Sequence, residues 1–213
     1  APRPVPPDAP LFMTFDWGYG KPYSVGYWWE DPDGRLFRFT ELYGCMEGQP
    51  DVGLRQADSE IAEAIIRHEK KHNLRKRDIY RLGSHDCWNK KPNYAGGGQL
   101  DATVREFARL GLLMHKADPS RIPKVRQMHE RLRVYRGPDG NMTREPMLMV
   151  YDTCRDFIRS VPMLQAKPHD PEYWDDDAED HCIEEACQVL MARKLKTRRN
   201  ATGTVDQMQR ARL

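Results

Sequence analysis

Phe12-Met13-Thr14-Phe15-Asp16-Trp17-Gly18 is an apolar run that delivers one carboxylate and then turns. An acid inside an otherwise buried strand is costly to desolvate unless a partner offsets it, and a metal ion is the usual offset at such a place. The simpler reading is a turn carboxylate. Outward from this run lie two more stretches rich in Phe, Tyr, Trp and Val, residues 23–30 and 35–43. Gly18-Tyr19-Gly20-Lys21-Pro22 and Asp31-Pro32-Asp33-Gly34 separate the three, so residues 11–43 read as an antiparallel meander.

Beyond the meander the pattern changes period. Residues 44–57 read as a loop. A helix is expected over 59–73, capped by Asp58 or Ser59, with Ile61, Ala62, Ile65 and Ile66 as its apolar stripe. Strands are expected over 78–82, 111–117 and 147–151, and helices over 101–110, 120–134, 153–160 and 180–194. A meander followed by alternating helices and strands implies an α/β fold: a mixed sheet, part antiparallel and part parallel, flanked by helices.

The 213 residues make one good-sized domain, and 39% hydrophobic residues suffice for a single core despite 31% charged ones. No apolar run is long enough for a membrane span, so no membrane partner is expected. The start, Ala1-Pro2-Arg3-Pro4-Val5-Pro6-Pro7, reads as a proline-rich linker over 1–10, before a body at 11–195 and a basic flexible tail at 196–213. Five cysteines without a Cys-x-x-Cys pair suggest reduced thiols in a cytoplasm. The net charge of +2 hides segregation: residues 169–185 carry nine acids and no Lys or Arg, whereas residues 193–213 carry seven Lys/Arg and one acid. An acidic site beside basic segments suits metal-dependent chemistry on a phosphodiester.

Such chemistry needs three or four acids from different elements converging on two ions. Asp16 on the first strand, Asp86 after the fourth, and Asp180 or Glu184 on the last helix would serve, with His181 on the same helical face. Ser84 and Asp86 point to the same side of an extended segment, but only Asp86 binds a metal well. Lys90, Lys91, Lys116, Arg121, Lys124 and Arg126 could line a DNA track, though each alone reads as an ordinary surface charge. His68-Glu69-Lys70-Lys71-His72 matches the His-Glu-x-x-His pattern of zinc hydrolases. Arg67, Lys70 and Lys71 crowd it with positive charge, and no third ligand follows. Gly96-Gly97-Gly98 lacks the Gly-Lys-Ser/Thr of a Walker loop, so no ATPase activity is expected.

Several segments together carry a resemblance. They are Phe15-Asp16-Trp17-Gly18 with Pro22, then Glu41-Leu42-Tyr43-Gly44, then Ser59-Glu60-Ile61-Ala62. Thr153-Cys154-Arg155-Asp156-Phe157-Ile158-Arg159-Ser160-Val161-Pro162 and Glu179-Asp180-His181 complete the set. In order and spacing, over residues 11–195, they resemble the C-terminal nuclease domain of tailed-phage large terminase subunits. The resemblance implies an RNase H-like fold and an endonuclease using two Mg²⁺ or Mn²⁺ ions to cut concatemeric double-stranded viral DNA during packaging. It implies double-stranded DNA, the terminase ATPase domain, the small terminase subunit and the portal protein as partners, in the host cytoplasm. The family's first-strand acid matches Asp16. Its fourth-strand acid falls at Ser84 or Asp86, and its last-helix Asp-His-x-x-Asp matches Asp180, His181 and, with Glu for Asp, Glu184. The family's packaging ATPase has no counterpart here, which reads as an excised domain. A catalytically weak RNase H-like module that binds DNA or a packaging component is the alternative.

Overall fold

The computed structural model describes residues 3–92, 99–175 and 177–195. Its centre is a six-stranded mixed sheet. Strands β1 (Leu11–Asp16), β2 (Ser24–Glu30) and β3 (Leu36–Tyr43) form the expected meander. After α1 (Asp58–Lys71), strand β4 (Ile79–Gly83) lies parallel to β1. After α2 (Thr103–Arg109), the short β5 (His115–Lys116) lies parallel to β4. After α3 (Arg121–Leu132), β6 (Leu148–Val150) lies parallel to β3 at the opposite edge. The spatial order is β6-β3-β2-β1-β4-β5. Helices α4 (Arg155–Ser160) and α5 (His181–Ala192) complete the chain's five described α-helices.

Strand alternation assigns the faces. Leu11, Met13 and Phe15 of β1 pack with Val25, Tyr27 and Trp29 against Ile61 and Ile65 of α1 and Phe107 of α2. Phe12 and Trp28 point the other way, to Val125 and Met128 of α3, Phe157 of α4, and Ile183, Ala186 and Leu190 of α5. Phe12, Thr14 and Asp16 share the parity that faces α5, because side chains two apart on a strand lie on one side. The strand that decides the fold therefore also aims its acid at the last helix.

Several boundaries differ from expectation. β1 stops at Asp16, since Trp17 turns to donate its indole N–H to Asp58 at 2.8 Å. Asp58 also accepts from Thr103, so it does not cap α1. Ala57 holds the cap position, and its backbone N–H bonds Glu60 at 2.7 Å. The strand expected over 111–117 shrinks to two residues. Gly111 takes φ +80° to end α2, and the Leu112 N–H turns back to Phe107 O. The loop expected over 44–57 holds a small hairpin, Cys45–Met46 with Gln49–Gly53, turned by Gly48 at φ +72°. Gly137-Pro138-Asp139-Gly140, which reads as a turn in the sequence, closes a further hairpin at 135–144, whereas a hairpin at 166–174 carried no clear signal. Residues 3–10 lie against the body: Arg77 donates to Pro6 O and Ala9 O, and Tyr151 to Arg3 O. The tail at 196–213 and Gly96-Gly97-Gly98 lie outside the described residues. All five cysteines are free thiols, and no described helix is long and apolar enough to cross a membrane.

Candidate functional site

The three parallel strands end in steps. Ser84 N–H bonds Phe15 O, and Ala117 N–H bonds Gly83 O, both at 3.0 Å. The carboxyl ends of β1, β4 and β5 thus open on the same side, each followed by an acid: Asp16 itself, Asp86 in the 3-10 turn His85–Trp88, and Asp118. Ligand crevices of parallel sheets sit at such ends. The N-terminus of α5 supplies the facing wall, with Asp180 at its cap position and Glu184 one turn on. All five acids line one pocket of about 390 Å³, together with Ser84, Arg121, Lys124, Tyr173 and Gln188.

Below the pocket, α5 is locked to the sheet. Gln188 Nε2 donates to Phe15 O at 2.8 Å, and Phe15 N–H donates to Gln188 Oε1 at 3.2 Å. One residue deeper on β1, Thr14 donates to the fully buried Glu185, which also meets the fully buried Arg38 guanidinium at 2.5 Å. Arg38 is stacked between Trp28 and Phe157, with ring centroids at 5.0 and 4.8 Å. Burial pushes Glu185 up to about 7 against the pull of Arg38.

His181 Nδ1 meets Asp16 Oδ2 at 3.3 Å. Burial raises the Asp16 pKa, and His181 opposes the rise without cancelling it. Burial, then the charge of Glu184, pushes Asp180 up to about 7. Burial would lower His181, but its hydrogen bond to Asp16 and the charges of Asp16 and Asp180 raise it overall. Crowded carboxylates of this kind resist ionising together, and a bound cation relieves that cost. Oxygen donors also suit a hard divalent cation such as Mg²⁺ or Mn²⁺. As they stand, no three acid, His or Cys side chains among the described residues are close enough to hold an ion together. The reason is visible in their partners. Glu184 is occupied by Lys124, by Tyr173 OH and by Trp174 Nε1 at 3.1 Å, while Asp86 is largely exposed at the rim.

The expected site residues are thus distributed as follows. Asp16, Asp86, Asp180 and Glu184 share the pocket, Ser84 lines it beside Asp86, and His181 braces Asp16. Lys124 is only 7% exposed and points into the pocket rather than along an open face. Lys90, Lys116 and Arg126 are exposed, and the Lys91 side chain lies outside the described residues. Asp118 is not among the expected site residues, although it directly follows the strand expected over 111–117. It accepts from Ser120 at 2.6 Å and Lys194 at 3.0 Å, which hold it at about 2. Gln188 could have been found, since it sits one turn beyond Glu184 on the same helical face.

Among the described residues, the His-Glu-x-x-His segment is not part of any group of three side chains close enough to hold a metal ion together. Glu69 is fully buried and bound by Arg75 at 3.0 Å and Arg81 at 2.9 Å, so it is not free to act as a base. His68 stacks on Tyr27 and bonds Thr40 at 3.1 Å.

No family model matches the sequence, and no curated protein does. Solved structures do. The large terminase of a thermophilic bacteriophage matches with a TM-score of 0.61 at 13% identity, over 87% of this chain and 40% of that one. The chain therefore spans about two fifths of that terminase's length. The P22 large terminase nuclease domain matches with a TM-score of 0.54 at 14% identity, over 90% of this chain and 85% of that one. At these identities the likeness is one of fold: the chain has the mixed-sheet fold of a phage large terminase nuclease domain.

Proposed function

We propose that the chain is a divalent-metal-dependent DNA endonuclease, the nuclease module of a phage large terminase that cuts concatemeric double-stranded DNA during genome packaging. The observation that carries this reading is the convergence of Asp16, Asp86 and Asp180 on one pocket at the carboxyl ends of parallel strands. The fold shared with the P22 large terminase nuclease domain supports it. In this reading Asp16, Asp180 and Asp86 hold Mg²⁺ or Mn²⁺. Held there, the ion would supply Lewis acidity toward an attacking water and the phosphate oxygens. The chain's own groups do the rest. His181 fixes the rotamer of Asp16, and Gln188 fixes the strand end that carries it. Arg121 at the pocket and Lys90, Lys116 and Arg126 outside it attract the phosphate backbone without reading sequence. The terminase ATPase domain, the small subunit and the portal are the proposed partners, in the cytoplasm of an infected host.

The test is plasmid nicking by the purified chain with Mg²⁺ or Mn²⁺. Asp16→Asn should lose cleavage at least about a hundredfold while melting like the parent, and EDTA should abolish cleavage by the parent. Undiminished cutting by the variant would remove Asp16 from the chemistry. A folded parent that binds DNA but cuts with neither ion would favour a binding module instead.

A further inference from the structure

Lys124 is an unusual occupant for an acidic metal pocket. Lysine is almost never buried unless paired, and this one is 7% exposed. Its ammonium pairs with Glu184 Oε2. It also lies 5.2 Å from the Tyr173 ring centroid and 5.4 Å from that of Trp174. The other oxygen of Glu184 accepts from Tyr173 OH and from Trp174 Nε1. One carboxylate thus holds three donors from α3 and the 166–174 hairpin, which leaves few lone pairs for a metal. On the same helix Asp180 takes no hydrogen bond from a side chain among the described residues, and Asp16 takes one, from His181.

We propose, building on the nuclease reading above, that Lys124 serves as a resident cation in place of a second metal ion. The pocket then takes one divalent ion, on Asp16 and Asp180 with Asp86, and Glu184 anchors Lys124 instead of ligating metal. A second ion on Glu184 would sit beside an ammonium and be repelled by it. Lys124 has little room to withdraw, because its neighbours Val125 and Met128 pack α3 into the core beside α5. The ammonium would also face the scissile phosphate and offset the charge that a second ion offsets in two-metal sites.

Calorimetric titration of the metal-free chain with Mn²⁺ reads this without any turnover. The parent should bind one ion per chain and Lys124→Met two, while Lys124→Arg stays at one. Two ions on the parent, or one on a folded K124M, would overturn the resident-cation role alone. No ion on any of them would instead overturn the metal-dependent reading beneath it. Should K124M fail to fold, Glu184→Gln decides: it should keep the single ion with affinity within about tenfold of the parent, whereas loss of that ion would make Glu184 a ligand and end the proposal.

Discussion

Gly26 sits opposite Thr14 across β1 and β2, and a methyl group there would run into the Arg38 guanidinium and the Glu185 carboxylate. Both ends of that ion pair are fully buried, so neither can retreat to water. Gly26→Ala should therefore cost about 3 kcal/mol in urea unfolding, the scale of a disrupted buried pair; a loss below about 1 kcal/mol would mean that the pair relaxes freely. That Asp16, Asp86 and Asp180 lie about one pocket was legible in the sequence because each sits at or just past the end of a strand or at the start of a helix, and such positions can be read locally. The bonds that Glu184 makes were not. They join α3, a small hairpin and α5, residues 124, 173 and 184, and no local pattern records a contact across three elements. Gly26 was equally silent, since a glycine in a strand does not say which side chains fill the space above it.

Among the elements, α1 shows how one motif can serve another end. Its His-Glu-x-x-His spacing puts His68 and Glu69 on the sheet, and the sheet uses them for packing and for a buried carboxylate between two arginines. Burial, with the charges of His72 and Lys71, lowers His68 to about 4. An unfolded histidine titrates near 6.5, so between about 6.5 and 4 the unfolded chain binds a proton that the folded chain refuses. Stability must fall as the pH drops through that window, with no such effect above about pH 7. His68→Gln should flatten the difference in urea midpoint between pH 7 and pH 5 relative to the parent. Parallel losses in both proteins would place the titration elsewhere. The long elements were legible for a matching reason. The meander, α1, α3 and α5 carry periodicities that the core then uses, whereas β5 and the small hairpins are only two to five residues a strand and owe their existence to partners.

At the scale of the whole molecule, charge is sorted around the pocket. Carboxylates line its floor, and Lys116 stands one residue before the pocket-lining Ala117 at the end of β5. Arg126 is exposed on α3, the helix that brings Arg121 and Lys124 to the same pocket. In the proposed reading, a duplex laid over the opening would meet the acids of the pocket, with Arg121 among them and Lys116 beside it. Such binding releases counterions, so log K should fall linearly with log salt, by about 0.9 for each phosphate contacted. Lys116→Ala with Arg126→Ala should lower that slope by about 1.8 and weaken unrelated duplex sequences alike, because backbone contacts carry no sequence information. Fluorescence anisotropy with EDTA present measures the binding without cleavage. An unchanged slope would move the DNA track off this face, and with it the route by which a phosphate reaches Asp16.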